Sequence, residues 1–158
     1  MASRAIYAGS FDPPTNGHVD IIRRGRALFD GIVVAVGNNP AKKYLFDLEE
    51  RAGLLRDAIG DEAVKIVPFS GLLVHTAAAE GATVILRGVR AIGDFDLEFR
   101  YGLANRDLSG IETVFLLADP AQMFVSSSLI KEIASNGGDV GPYVPAGVLE
   151  ALGSKYGA

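Results

Sequence analysis

The 158-residue chain contains no cysteine, which excludes a disulfide framework, thiolate chemistry and cysteine metal sites. It also lacks a long hydrophobic run, because no apolar stretch approaches the ~18 residues of a membrane-spanning helix. The N-terminus shows no signal-peptide pattern. We therefore expect a soluble, cytoplasmic protein with no membrane partner.

The chain has no excess of positive charge either, since its formal net charge is −4 at pH 7. This balance argues against a general nucleic-acid binder, although a small polyanionic ligand needs only a local basic cluster. The motifs G-x-x-x-x-G-K-[ST] and G-x-G-x-x-G are absent, which argues against phosphate-loop kinases and dinucleotide dehydrogenases. No His, Asp or Glu cluster has metal-ligand spacing, so we predict no metal site built by the protein itself.

Five short apolar runs alternate with helix-like stretches along the whole chain. The run at 32–36 is β-branched without alternation, which is typical of a strand buried on both faces. Length and alternation together predict one α/β domain, 1–158, with a doubly wound five-stranded parallel sheet. The predicted strands are 5–8, 32–36, 64–67, 83–86 and 113–117, and the predicted helices are 19–29, 48–59, 72–80, 94–105, 127–136 and 145–156.

The first turn, GSFDPPTNGH at 9–18, carries the densest set of unusual residues. Gly9 either adopts a positive φ or lets a ligand approach closely. Thr15 is a good N-cap, and His18 then falls in the first helical turn, where its ring can reach a phosphate oxygen. A lone histidine is usually structural, and we interpret His75 in that way. For His18 the turn context favours function.

Basic and hydroxyl side chains follow the other predicted strands. Ligands of doubly wound sheets bind at the carboxyl ends of the strands, so these residues are candidates for a phosphate site. Lys42 and Lys43 form either a solvated loop or a contact to the ligand, and the residues alone leave this open. Arg87 and Arg90 form either a phosphate fork or surface ion pairs, and their spacing favours the fork. The last set, the serines at 126–128 with Lys131 one turn later, opens a predicted helix.

These segments resemble a known family. GSFDPPTNGH resembles the nucleotidyltransferase signature, and its Thr-Asn-Gly-His form is similar to that of the phosphopantetheine adenylyltransferases. RGVRAIGDFDLEFRYGLANR is similar to the family pattern R-G-x-R-x-x-x-D-F-x-x-E followed by N-R. VSSSLIK resembles I-S-S-S/T-x-x-K/R. The three motifs occur in the expected order and span nearly the whole chain.

The resemblance implies a Rossmann-like nucleotidyltransferase fold and transfer of AMP from ATP to 4′-phosphopantetheine by direct in-line attack. The products would be dephospho-CoA and pyrophosphate, in the penultimate step of coenzyme A synthesis. It further implies Mg²⁺ carried by the ATP phosphates, dephospho-CoA and CoA as site ligands, and a homohexamer. A face formed by Phe95, Phe99 and Leu103 fits assembly, but core packing explains it equally well.

The resemblance also assigns residues. The catalytic residues would be His18, Lys42 and Arg90. Phosphopantetheine would contact Ser10, Lys42, Leu73 and Arg87. ATP would contact Ser10, Phe11, His18, Gly88, Val89, Arg90, Glu98, Gln122, Met123, Phe124, Val125, Ser126, Ser127 and Ser128.

The sequence departs from the family pattern at a few positions. Ser10 replaces the commoner threonine but keeps the hydroxyl, and Gln122-Met123 replaces a variable, often aromatic pair. Thr15 stands where nicotinamide mononucleotide adenylyltransferases usually have a second histidine. Two alternatives therefore remain: that sibling enzyme, which Thr15 argues against, and a noncatalytic adenine-nucleotide sensor. Asp94, in the second motif, could serve only as the N-cap of the predicted helix 94–105.

Overall fold

The structure is a computed structural model, and it describes residues 3–157. Its centre is a five-stranded sheet in which every strand pairing is parallel. The strand order β3-β2-β1-β4-β5 places β1 in the middle, with β2 on one side and β4 on the other. The predicted doubly wound α/β fold is confirmed. The strands are β1 (Arg4–Gly9), β2 (Gly31–Gly37), β3 (Lys65–Phe69), β4 (Val84–Val89) and β5 (Glu112–Leu117).

The connections between strands are helical, as the sequence predicts. The helices are α1 (Asn16–Leu28), α2 (Leu48–Ile59), α3 (Leu73–Ala79), α4 (Ile92–Ser109), α5 (Ser127–Ser135) and α6 (Ala146–Tyr156), and 3₁₀ turns cover Pro120–Gln122 and Gly141–Tyr143. Two helix starts differ from the prediction by more than one residue. Helix α1 begins three residues early, because Thr15 caps it directly. Helix α4 begins at Ile92 without a side-chain cap, so the interpretation of Asp94 as an N-cap is wrong.

The central strands of the sheet are buried on both faces. Side chains alternate along each strand, so β1 sends Tyr7 to the face with α1 and α2, and Ile6 to the face with α3. In β2, Val34 and Ala35 are both completely buried on opposite faces. This confirms the prediction that the β-branched run is buried on both sides. Burial of both faces leaves the carboxyl edge of the sheet as the place where polar side chains collect.

A third apolar cluster holds the C-terminal helices against the rest of the chain. Phe46, from the loop after β2, packs with Val125 and Ile130 around the start of α5, and with Val148 and Leu152 of α6. All five side chains are at most 4% exposed. The cluster therefore fixes the N-terminal end of α5 close to the loop that carries Lys42.

Helix α4 is different from the other helices, because none of its residues is buried. Phe95, Phe99 and Leu103 are 42%, 47% and 50% exposed. Packing within the chain therefore accounts for only part of this face: Phe95 contacts the ring of Phe115, but about half of each side chain stays exposed. Within residues 3–157, none of the helices is both long and apolar enough to cross a membrane.

Candidate active site

Two neighbouring cavities open at the carboxyl edge of the sheet. The His18 cavity has a volume of about 250 Å³, and its lining includes His18, Arg90 and Ser126. The Lys42 cavity, of about 620 Å³, has Lys42 and Ser10 among its lining residues. Four residues line both cavities, so the two spaces share a wall at the end of β1: Ala8, Gly9, Arg87 and Glu98.

The first turn of α1 fixes the imidazole of His18. The Thr15 hydroxyl accepts a hydrogen bond from the His18 N–H, and His18 Nδ1 accepts one from the Thr15 backbone N–H at 3.0 Å. This is a capping box in which a histidine takes the place usually filled by Glu or Gln. Phe11 packs edge-on against the imidazole, with ring centroids 5.0 Å apart. Because Nδ1 is an acceptor, a neutral His18 carries its proton on Nε2 and donates only from there.

The surroundings of His18 keep it neutral. Burial, and then the positive charges of Arg90 and Arg87, lower the pKa of His18 from 6.5 to about 4. The sequence alone does not decide whether His18 acts as a neutral or as a protonated hydrogen-bond donor. The structure favours the neutral imidazole at neutral pH.

This protonation state gives a testable result. The ¹⁵N signals of His18 are expected to stay those of the neutral Nε2–H form from pH 8 down to pH 5 in an NMR titration, with His75→Gln used for assignment. Between pH ~6.5 and ~4 the unfolded chain binds the extra proton and the native chain does not, so this group makes the protein less stable as pH falls through that window. Protonation of Nδ1 with a midpoint near 6.5 would contradict the hydrogen-bond assignment.

Gly9 lines both cavities, whereas Phe11 lines neither and shapes the turn from below. Gly9 is not among the positive-φ residues, whereas Phe11 has φ of 50°. A Cβ on Gly9 would lie 3.1 Å from Cζ of Phe11. The Phe11 ring therefore already lies close to Gly9, and a side chain at position 9 would collide with it. Phe11 itself is 2% exposed and supports His18 from within the core.

The residues expected to bind phosphopantetheine come together. Ser10, Lys42, Leu73 and Arg87 all line the Lys42 cavity, although they come from four separate parts of the chain. Lys42 is exposed and makes no ion pair within residues 3–157, so its charge is available at the cavity.

Sequence reasoning missed several residues of the Lys42 cavity. Tyr101 and Asn105 line it together with Glu98, which the sequence analysis assigned only to ATP. The three positions are spaced by three and four residues on α4, so they share one helix face. That spacing was the available signal. Tyr44 and Thr113 also line the cavity, and the Thr113 hydroxyl is buried without a hydrogen-bond partner among the described residues.

Arg87 stands between the two cavities and forms an ion pair there. Its Nε donates to Glu98 Oε2 at 2.6 Å, one terminal nitrogen donates to the other carboxylate oxygen, and the other terminal nitrogen donates to the Ala8 carbonyl. Burial alone would lower the pKa of Arg87, but the hydrogen bonds and charge of Glu98 raise it on balance. Three of the five guanidinium N–H groups are occupied, and two remain for a ligand. The sequence offered an ion pair and a phosphate contact as alternatives for Arg87. The structure shows the ion pair and also places Arg87 in the lining of both cavities.

Arg90 links β4 to the segment before α5. Its Nε lies 3.2 Å from Asp94 Oδ2, and a terminal nitrogen donates to the Val125 carbonyl. Arg90 also lines the His18 cavity. Its position brings a second positive charge close to His18, and this charge is one cause of the lowered pKa of that imidazole.

Two residues of the serine segment, Ser126 and Ser127, make hydrogen bonds within the fold and also line the His18 cavity. The Ser126 hydroxyl caps α5 by accepting the Leu129 N–H at 3.1 Å, and the Ser127 hydroxyl donates to the Pro13 carbonyl. Lys131, one turn into α5, donates to Asp12 Oδ2 at 2.9 Å. This ion pair could not be predicted from the serine motif, because Asp12 lies 119 positions away along the chain.

Comparisons with known proteins agree with this geometry. Residues 6–133 match the profile of the cytidylyltransferase-like family. Over 97% of its length the chain is 50% identical to the phosphopantetheine adenylyltransferase of Desulfosudis oleivorans, covering 92% of that protein. The chain belongs to the phosphopantetheine adenylyltransferase family. A second family member, from Anaeromyxobacter sp. strain K, is 48% identical over 99% of the chain and 97% of its own length.

A solved structure shows the same fold at lower identity. The whole chain superposes on half (51%) of a bifunctional NMN adenylyltransferase/ADP ribose pyrophosphatase from Francisella tularensis, with a TM-score of 0.77 and 14% identity. This likeness supports the nucleotidyltransferase fold of the phosphopantetheine adenylyltransferase family.

The structure groups most of the residues that the family pattern assigns to ATP. The following line the His18 cavity: His18, Gly88, Arg90, Glu98, Gln122, Val125, Ser126 and Ser127. Ser10 lines the Lys42 cavity instead, and Phe11 and Val89 are buried. Met123, Phe124 and Ser128 are exposed and line neither cavity. The Gln122 Oε1 atom is buried without a hydrogen-bond partner in the part of the chain described.

Metal-ligating side chains do not cluster in this site. In the described part of this family member, no group of three or more His, Cys, Asp or Glu residues could hold a metal ion. The nearest carboxylates, Asp94 and Glu98, are paired with Arg90 and Arg87. The site presents N–H donors and positive charges, which suit phosphates.

Proposed function

We propose that this chain transfers AMP from ATP to 4′-phosphopantetheine, giving dephospho-CoA and pyrophosphate, the penultimate step of coenzyme A synthesis. The observation that carries the proposal is the shared wall between two cavities, one beside His18 and Arg90 and the other beside Lys42. Two phosphates that react must lie side by side, and adjoining cavities with positive charges supply that arrangement. The names of the family members support the choice of acceptor.

The reaction needs no protein nucleophile. The second pKa of a phosphomonoester is about 6, so the acceptor phosphate is already mostly a dianion at neutral pH. One of its oxygens forms a bond to the ATP α-phosphorus while the bond to the β-phosphate oxygen breaks and pyrophosphate leaves. The protein holds the reactants in line and stabilises the charge with fixed donors.

The individual roles follow from position. His18 donates Nε2–H to the α-phosphate, and its capping box holds the ring in place for that contact. Arg90 and the N-terminal end of α5 at Ser127 stabilise the phosphates on the ATP side. Lys42 and the two remaining N–H groups of Arg87 hold the acceptor phosphate. Mg²⁺ enters as part of the MgATP substrate, bound by the phosphates.

Gln122 gives the ATP side a hydrogen-bond acceptor. Its buried Oε1 has no hydrogen-bond donor among residues 3–157, and the exocyclic amino group of adenine is a donor that would satisfy it.

Dephospho-CoA and CoA join an adenylate to a pantetheine arm, so both would span the two cavities.

Loss of the Lys42 charge is expected to act on the acceptor. We predict that Lys42→Met raises the KM for phosphopantetheine at least tenfold and changes the dissociation constant of ATP less than threefold, because Lys42 lines only the Lys42 cavity. Steady-state kinetics and calorimetric ATP titration measure the two quantities. Lys43→Met is the matched control, since the neighbouring lysine lines neither cavity. Equal losses for both substrates would count against this assignment.

We also propose that copies of this chain cover the α4 face and form a homohexamer. Ile92, Phe95, Phe99 and Leu103 recur every three or four residues on one face of α4, and each is at least 42% exposed. Contiguous apolar surface of this kind is typical of an interface.

Light scattering tests the assembly. At micromolar protein we expect a mass of about 100 kDa, six times the 16.6 kDa of one chain, because burial of the α4 face stabilises the oligomer. Phe99→Asp is expected to lower that mass by placing a charge in the interface. A mass of one chain for the unmodified protein would reject the proposal.

A further inference from the structure

Arg51 is a buried cation that the function described so far does not use. It lies in α2, is 1% exposed, and has no carboxylate partner within residues 3–157. An unpaired buried charge is strongly unfavourable unless hydrogen bonds compensate it. Its position therefore depends on the groups that surround the guanidinium.

All the hydrogen bonds of Arg51 go to backbone carbonyls. One terminal nitrogen donates to Ser10 at 2.7 Å and to Gly37 at 2.8 Å. Nε donates to Phe46 at 3.1 Å and to Asp47 at 3.3 Å. The ring of Tyr44 covers the guanidinium, with Cζ 4.0 Å from the ring centroid.

These carbonyls belong to three separate segments around the Lys42 cavity. Ser10 follows β1, Gly37 ends β2, and both line the cavity. Phe46 and Asp47 close the loop that carries Lys42 and lead into α2. One guanidinium thus sets the spacing between the acceptor-side end of β1, the end of β2 and the base of the Lys42 loop.

Asp12 holds the base of the same loop from the opposite side. Its carboxylate accepts the N–H groups of Leu45 and Phe46, both at 2.9 Å. Phe46 therefore has its N–H fixed by Asp12 and its carbonyl fixed by Arg51. The Lys42 loop is therefore held at Phe46 through both its N–H and its carbonyl group. A shift of Phe46 would shift Lys42 as well.

We propose that Arg51 is a positioning residue for the acceptor phosphate, acting through Ser10 and the Lys42 loop without touching substrate. The proposal rests on the proposed function, because it assumes that the acceptor occupies the Lys42 cavity. An arginine suits this role, since its planar fork donates in several fixed directions at once. A lysine places its three donors on a single atom and cannot reach all four carbonyls in the same way.

The test compares two variants with a control on the same helix. Arg51→Met removes all the hydrogen bonds, Arg51→Lys keeps the charge, and Leu55→Ala opens a cavity in α2 at a fully buried residue that lines neither Lys42 nor His18 cavity. For each folded protein, steady-state kinetics give the KM for phosphopantetheine, calorimetry gives the dissociation constant of ATP, and thermal unfolding gives Tm.

We expect Arg51→Met to raise the acceptor KM at least thirtyfold and Arg51→Lys to raise it by a smaller factor of at least three. ATP affinity should change less than threefold in both. Leu55→Ala should lower Tm and leave both substrate constants unchanged, which separates positioning from loss of stability. If Arg51→Met does not fold, the acceptor KM of Arg51→Lys decides alone.

The possible failures are distinguishable. An unmodified protein that releases no pyrophosphate from ATP and phosphopantetheine overturns the proposed function. An active unmodified protein whose Arg51→Lys and Arg51→Met variants keep the acceptor KM, or lose ATP affinity to the same degree, overturns the role of Arg51 alone.

Discussion

His18→Ala is expected to lower kcat by roughly 10²–10³, about 3–4 kcal/mol of transition-state stabilisation, the scale of losing one oxyanion donor. The imidazole is held by its capping box, so Nε2–H is a fixed donor that needs no reorganisation during the reaction. The transferring phosphoryl group changes shape and charge distribution only in the transition state, where such a donor contributes most. In the proposed complex, ground-state ATP would have other partners in the same cavity, including Arg90 and the N-terminal end of α5.

ATP binding should therefore survive the loss of His18. The dissociation constant of ATP is expected to change less than about tenfold, or ~1.4 kcal/mol. Calorimetric ATP titration and steady-state pyrophosphate release on the same preparation measure the two effects. His75→Ala is the matched control, because His75 on α3 lines neither cavity. Retained kcat, or a collapse of ATP binding along with kcat, would show that His18 acts structurally or in the ground state.

Asp12→Ala is expected to have the largest effect on folding, with a loss of about 3–5 kcal/mol in the free energy of unfolding. The Asp12 carboxylate is only 4% exposed and accepts hydrogen bonds from Lys131, Leu45 and Phe46. Its removal leaves an ammonium group and two backbone N–H groups without their acceptor. Chemical denaturation at a fixed protein concentration measures the change.

A surface ion pair provides the control for Asp12. Asp20 pairs with Arg24 one helical turn later, and both side chains are about a third or more exposed. Asp20→Ala should change the free energy of unfolding by less than about 1 kcal/mol, the usual range for an exposed pair. If the two variants lose similar stability, the buried network around Asp12 does not have the role that the structure gives it.

Local sequence patterns were enough to predict most of the fold. The strands are continuous β-branched or apolar runs whose burial on both faces leaves a strong signal, as at Val34 and Ala35. The cap at Thr15 and the position of His18 in the first turn depend on residues three apart, and both are confirmed. The start of α4 was predicted late, because Ala91 caps it without a side-chain hydrogen bond and leaves no signal in the sequence.

The site was harder to predict, because contacts between residues far apart in the sequence decide which charged side chains are paired and which are available to a ligand. Lys131 and Asp12 are 119 positions apart, so the serine segment alone gave no sign that the lysine was already paired. Arg51 resembles an ordinary surface arginine of an amphipathic helix until the carbonyls of Ser10 and Gly37 are brought to it. Arg87 lines both cavities, and its ion pair with Glu98, eleven residues along the chain, is fixed only when α4 folds against the end of β4.

Incubation of the purified protein with MgATP and 4′-phosphopantetheine, with pyrophosphate release followed beside the mass of the product, tests the proposed transfer most directly. We predict pyrophosphate and dephospho-CoA in equal amounts, and no pyrophosphate when nicotinamide mononucleotide replaces the acceptor. Pyrophosphate formed only with nicotinamide mononucleotide, or ATP binding without pyrophosphate release with either acceptor, would contradict the account.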